Sequence, residues 1–172
     1  MIGKRKIAPK FELVFPPSGG AKTAKIIASI LSGRDDELPK VLLDSDAAGK
    51  QAIKSLRDDL YSQAKDRVLE TDEVFTDLKG TEIEDLMPAS LIISVLDRME
   101  RRAEREFEDV HDPKKPIIPQ IKNWAEGEGF EMEQGWKIKL ALGVKDKLLA
   151  NANRYVEDED INRWKELFEK LL

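Results

Sequence analysis

The sequence predicts an α/β protein, with a parallel sheet flanked by helices over residues 11–90 and a helical C-terminal part over residues 91–172. Three observations lead there. Short apolar runs alternate with helix-spaced segments through the first half, the order that gives a parallel sheet with crossover connections. The run VLLD at 41–44 is apolar without alternation, as a strand covered on both faces requires. Past residue 90 the apolar spacing is helical throughout.

FELVF at 11–15 reads as the first strand, ended by Pro16 and Pro17, with Ser18, Gly19 and Gly20 as the turn after it. Residues 22–31 form a helix carrying Ile26, Ile27, Ile30 and Leu31 on one side, stopped at Gly33. After VLLD, the spacing of Ala48, Ala52, Ile53, Leu56, Leu60 and Tyr61 predicts a helix over 47–64. RVLE at 67–70 and EVF at 73–75 are short strand segments. SLIISVLDRMERRAEREFEDV, at 90–110, reads as one long helix whose apolar residues give way to charge. HDPKKPIIP, at 111–119, carries Pro113, Pro116 and Pro119 and reads as an extended connection. Helical spacing resumes at 120–126, 136–151 and 160–172.

Composition narrows the chemistry. At 172 residues the chain is long enough for one domain, or one domain with an appendage, without disulfides or metals as staples. It contains no cysteine, which excludes disulfides, thiolate nucleophiles and cysteine zinc sites together. His111 is the single histidine, so neither a histidine metal cluster nor a Ser-His-Asp triad is expected. A metal would fall to carboxylates, whose oxygens select a hard cation such as Mg²⁺, Mn²⁺ or Ca²⁺. The net charge of −5 argues against nucleic-acid binding driven by total charge, but leaves room for a local basic surface. No apolar run approaches a membrane span and MIGKRKIAPK lacks the apolar core of a signal peptide, so a cytoplasmic protein with no membrane partner is expected.

Asp44 ends the VLLD run, at the carboxyl end of a strand, where open α/β sheets hold their sites. Asp46, two residues on, points to the same side in extended geometry. Ala47, Ala48 and Gly49 leave space and let the backbone come close to a ligand. Two readings stand level on these residues: a cation held by the pair, or a helix capped by Ser45 or Asp46. GTEIEDLMP at 80–88 adds Glu82, Glu84 and Asp85 after the last strand candidate. Glu82 and Glu84 share a face of a short extended stretch and can meet Asp44 and Asp46 if their strands are neighbours. The bland alternative is that these acids decorate a helix N-terminus. Two acidic groups, each at a strand end, favour the cation site.

The ordered set FPPSGGAKTAKIIASIL, VLLDSDAAGKQAIKSL and TEIEDLMP resembles the toprim domain. It is most similar to the toprim nuclease half of the overcoming-lysogenisation-defect (OLD) family of ATP-dependent endonucleases. The shared pattern is a P-x-G-G turn after a strand, L-D-x-D-x-A-G after the next, and I-E-D-L further on. It covers residues 11–90, and the helical tail more loosely. The resemblance implies a toprim-like sheet and two-metal hydrolysis of phosphodiester bonds in DNA, using two Mg²⁺ or Mn²⁺ ions. It implies Asp44 and Asp46 as ligands of one ion, and Glu84, with Glu82 or Asp85, at the second. It also implies a late catalytic lysine that neutralises phosphate charge. Within GWKIKLALGVKDKLL, Lys137 fits the family's K-x-x-L-A spacing best, ahead of Lys139, Lys145 and Lys147.

Toprim domains open with a strand ending in Glu-Gly, and nothing before Phe11 matches it. OLD nucleases act with ATP through an upstream ATPase domain, and no G-x-x-x-x-G-K-[ST] loop is present here. The expectation is therefore the C-terminal toprim portion of a longer DNA endonuclease, incomplete at its N-terminus, with an ATPase domain or subunit as partner. A homodimer stays open. The competing expectation is a truncated or degenerate, non-catalytic toprim module for assembly or nucleic-acid binding.

Other features read as structural. His111, in a proline-rich connection, is expected to be solvent-exposed without a metal or base role. Trp124, Trp136 and Trp164 have apolar neighbours at helical spacing and read as core anchors rather than base-stacking platforms. SGGAK at 18–22 is too short for a Walker loop and reads as a strand-to-helix turn. RMERRAERE at 98–106 reads as a solvated helix face or an interhelix contact.

Overall fold

The computed structural model describes residues 21–33, 37–75, 77–99 and 103–172. The strand expected at 11–15 and the turn at 18–20 lie outside the described residues. Among the described residues the architecture is mixed α/β and mostly helical, with a small two-stranded parallel sheet flanked by helices.

Helix α1 (Ala21–Ser32) lies on the sheet side through small residues. Ala24 and Ala28 are buried, whereas Ile26 and Ile30, expected on the packed side, are exposed. Short side chains at the contact let the helix axis come close to its neighbours, which the isoleucines would hold apart. Strand β1 (Val41–Leu43) pairs in parallel with β2 (Val68–Glu70), Val41 opposite Val68 and Leu43 opposite Glu70. Helix α2 (Ala47–Asp58) connects them. It ends six residues before the expected 64: the Asp59 and Tyr61 amides both return to the Leu56 carbonyl. Tyr61, fully buried, donates its hydroxyl to the Pro39 carbonyl at 2.7 Å.

EVF at 73–75 is not a strand. Thr71–Val74 form a single 3₁₀ turn instead, capped reciprocally by Glu70 and Glu73. A second such turn, Ile83–Leu86, is capped reciprocally by Glu82 and Asp85. In each, acidic side chains satisfy amides that a short helix leaves open.

The helical half contains α3 (Ala89–Met99), α4 (Ile117–Gly127), α5 (Trp136–Asn151) and α6 (Asp158–Leu171). The long helix expected to reach residue 110 does not. Phe107–Asp109 form a separate 3₁₀ turn, and burial of Phe107 replaces helical continuation. The proline-rich connection is also shorter than expected. Ile117 and Ile118 are buried and begin α4, with Pro116 at its N-cap and Pro119 in the first turn, where a missing N–H costs no helical bond. Helices α3 and α5 approach closely at Gly143, where a Cβ would stand 2.6 Å from Val95 Cγ1.

Four buried apolar clusters follow among the described residues, two of them large. One gathers Leu43, Ile53, Leu56, Tyr61 and Val68 under α1 and α2. The other gathers Leu91, Phe107, Ile118, Ile121, Trp124 and Leu140 among the helices. A bridging cluster of Val74, Leu86 and Leu167 joins them, and the Trp164 indole of α6 donates to the Leu86 carbonyl at 2.6 Å. Among the described residues no helix is long and apolar enough to cross a membrane.

Candidate metal centre

The DSD turn and the TEIED segment meet at the junction of the two cores. The Ser45 amide donates to the Thr81 carbonyl at 2.8 Å, so the backbone just past β1 is bonded to the start of TEIED. Buried hydroxyls secure that junction. Thr71 Oγ1 accepts from the Ser45 amide at 3.1 Å and donates to the Thr81 carbonyl at 2.7 Å. Ser45 Oγ accepts from the Asp72 amide at 2.8 Å. The Asp72 carboxylate accepts from the Thr81 amide and hydroxyl at 2.9 and 2.7 Å, and from the Gly80 amide at 3.0 Å. Gly80 sits at φ 73, a left-handed turn that suits glycine. Burial works against the charge on Asp72, yet these donors and nearby Lys50 outweigh it and hold its carboxyl below the ordinary aspartate range.

This network places Asp44. Its Oδ1 accepts from the Ile83 amide at 2.8 Å, on the same short segment that carries Glu82 and Glu84. Burial pushes the Asp44 carboxyl up, and the charges of Glu84 and Glu82 add to that push, against the Ile83 hydrogen bond and Lys137. Lys137, in the first turn of α5, reaches across from the helical half. Its ammonium forms an ion pair with Glu82 and stands 3.3 Å from Glu84 Oε1. Burial alone would lower the Lys137 pKa, but the hydrogen bond to Glu82 and the charges of Glu84 and Glu82 raise it, so the lysine stays charged.

The two other expected carboxylates have backbone roles. Asp46 is the N-cap of α2, accepting from the Gly49 amide at 2.6 Å. Asp85 is buried and uses both oxygens on amides, Oδ2 on Glu82 at 2.8 Å and Oδ1 on Ile117 at 2.7 Å. Lys139 pairs with exposed Glu133, Lys145 is exposed, and Lys147 donates to the carbonyl and hydroxyl of Ser94 at 2.6 and 2.8 Å. Of the four lysines considered, Lys137 is the one beside the acids. Gly49 also has a different use from the one expected. A Cβ there would lie 1.9 Å from the Asp44 carbonyl oxygen, so the glycine admits the strand's own backbone rather than a ligand.

Sequence reasoning missed Thr71, Asp72 and Thr81, because buried polar residues vanish in an apolar pattern. The available signal was a Thr-Asp pair directly after one strand and a Gly-Thr pair at the next turn. His111 is half-buried against Phe107 (ring centroids 5.7 Å apart) rather than fully exposed, and burial lowers its pKa. Trp124 and Trp164 are buried core residues, as expected, and Trp136 packs partly buried against the helical core.

Among the described residues, no three His, Asp or Glu side chains are arranged so as to hold a metal ion as they stand. Glu82 and Glu84 converge instead on the Lys137 ammonium, with Asp44 close enough to feel both charges. Their oxygens are hard donors suited to Mg²⁺ or Mn²⁺. A groove of about 380 Å³ between the starts of α3 and α6, lined by Asp85, His111, Tyr155 and Arg163, does not include these residues. No protein-family model, curated protein or solved structure matches the chain.

Proposed function

We propose that the chain carries the toprim-like catalytic portion of a divalent-metal-dependent nuclease acting on DNA, of the OLD type that its DSDAAG and IEDL motifs resemble. One observation carries the reading: Asp44, Glu82, Glu84 and Lys137, from three separate segments, come together at the end of a parallel strand. A satisfied surface ion pair would not need four ionisable groups gathered at the carboxyl edge of a sheet.

Asp44, Glu82 and Glu84 would supply the oxygen donors, with Asp46 at the rim of the same turn. Bound Mg²⁺ or Mn²⁺ would stabilise the attacking and leaving oxygens of an in-line displacement at phosphorus. Lys137 supplies the positive charge that meets the phosphate oxygens. The upstream ATPase domain, the ATP dependence and the second ion all belong to the family reading.

The second reading, a non-catalytic module for assembly or nucleic-acid binding, draws on the same ion pairs, since Glu82 and Glu84 already have a counter-ion. Nicking of supercoiled plasmid separates the two. Metal-dependent cleavage that EDTA stops, reduced at least about a hundredfold in Asp44→Asn and Glu84→Gln, is expected for the nuclease. Cleavage unchanged by both substitutions would reject these residues as its centre. DNA retention without any metal-dependent cleavage would favour the module.

A further inference from the structure

The contact between α3 and α5 carries a second set of polar groups, apart from the Asp44 centre. Gly143 lets the two helices approach at Val95, so Lys147, one turn further along α5, reaches Ser94 of α3. Its ammonium donates to the Ser94 carbonyl at 2.6 Å and to the hydroxyl at 2.8 Å, which uses two of its three protons. A 3₁₀ turn, Ala152–Arg154, follows α5 and sets Tyr155 beside that lysine. The Lys147 ammonium stands 5.6 Å from the centre of the Tyr155 ring, and the Arg154 guanidinium 5.4 Å. We propose that Lys147, Arg154 and Tyr155 form a phosphate-binding site, with Ser94 holding the lysine in place. The site shares no residue with the Asp44 centre, so it stands or falls apart from the metal-dependent reading.

Two cations gathered on one phenol repel each other unless an anion lies between them. Among the described residues neither forms an ion pair: Lys147 is bonded to Ser94, and Arg154 lies against the ring. Asp97 senses the Lys147 charge without pairing with it, and the Glu157 carboxylate is committed to the first turn of α6. The phenol registers the surplus positive charge. Hydrogen bonding to Ser94 and the charges of Lys147 and Arg154 hold it below the ordinary tyrosine range. Arg154 is exposed and Tyr155 half-buried, so a ligand reaches both from solvent. The open donors are the third ammonium proton, the guanidinium fork and the phenol hydroxyl. A guanidinium fork takes two phosphate oxygens at once and an ammonium takes another, so a doubly charged anion meets both cations. A carboxylate, with two oxygens and one charge, leaves part of the set unmet. Tyr155 also lines the groove of about 380 Å³ between the starts of α3 and α6, which gives room to whatever carries the phosphate.

The test is a phenolate absorbance titration of the full chain in phosphate, acetate or chloride at matched ionic strength. The chain has two tyrosines, and burial pushes Tyr61 up to about 12, so Tyr155 titrates alone as the lower step. Tyr155→Phe identifies that step by its loss. Bound phosphate sets negative charge against the phenol and is expected to raise the lower step by about one pH unit, saturably, while acetate leaves it where chloride does. The rise should vanish in Arg154→Met, a change at an exposed residue that leaves the Lys147–Ser94 tie in place. A lower step that the three anions move alike, or a rise that persists in Arg154→Met, overturns the proposal. The source of the phosphate is read from fluorescence anisotropy of a short labelled single-stranded DNA in EDTA. Binding weakened about tenfold in Arg154→Met assigns the site to a nucleic-acid strand. Strand binding that this substitution leaves unchanged, beside a phosphate-specific rise, assigns it to free phosphate.

Discussion

Asp44 and Asp72 are two aspartates with opposite electrostatic settings, and each setting makes a prediction. Asp44 is half-buried among like charges, and its carboxyl titrates above the ordinary aspartate value. A raised folded-state pKa favours folding only while the group is protonated, so that contribution fades as pH rises through the raised value. At neutral pH the ionised Asp44 works against the fold. Asp44→Asn keeps the oxygen that accepts from Ile83 and removes the charge. It should raise the melting temperature at pH 7 while weakening Mn²⁺ binding, and the gain should disappear in acid. A lower melting temperature at pH 7 would show that the charge is not strained.

Asp72 is the reverse. Its carboxyl is held below the ordinary range by the Gly80 and Thr81 donors, so its contribution is present above the ordinary aspartate pKa and is lost as pH falls through the depressed value. Asp72→Asn replaces an acceptor-only group with an amide that cannot accept at both oxygens. Loss of charge-assisted bonds to buried donors should cost about 2–3 kcal/mol in urea denaturation at pH 7. The gap to wild type should narrow towards pH 3. A gap that is flat with pH would mean that Asp72 contributes by shape alone.

At the level of elements, the α2 N-terminus is where strand, cap and glycine depend on one another. Asp46 caps the helix through the Gly49 amide, and Gly49 in turn lets the first turn of α2 press on the Asp44 carbonyl. Gly49→Ala would place a methyl 1.9 Å from backbone oxygen, and no flexible side chain is there to yield. The expected loss is about 3 kcal/mol, read as a lower urea midpoint, with Asp44 displaced from Ile83. A loss below about 1 kcal/mol would show that the strand end can shift.

This same junction shows what could be read from the residues. VLLD followed by a small-residue helix start was legible because a buried parallel strand and a capped helix each leave a local pattern, and α5 was legible to its last residue. EVF was misread because three apolar and acidic residues fit either a strand or a turn, and the Glu70–Glu73 capping decided it. Ile26 and Ile30 were misplaced because apolarity alone does not say which face of α1 packs; the small residues Ala24 and Ala28 took the contact. Lys137 could be brought to the acids only by family likeness. Its ion pair with Glu82 spans 55 residues, and no local pattern encodes so distant a contact.

Taken whole, the molecule places its charged centre where two cores meet. Asp44 belongs to the sheet half, Lys137 to the helical half, and Glu82 and Glu84 to the segment between them. The direct apolar bridge is small, formed around Val74, Leu86 and Leu167. An ion bound here should therefore stabilise both halves together, although it touches few residues. A ligand that binds only the folded state adds about 2.7 kcal/mol at a hundred times its dissociation constant. For a chain of this size that corresponds to a rise of roughly 5–10 °C in melting temperature. Hydrogen exchange followed by mass spectrometry gives the spatial readout. With Mn²⁺ at that excess, protection should increase in peptides covering β1 and α2 and also in those covering α5. The increase should be absent in Glu82→Gln, which loses a donor without adding volume. Protection confined to the sheet half would mean that the ion sits on the DSD turn alone and that the junction is not part of the site.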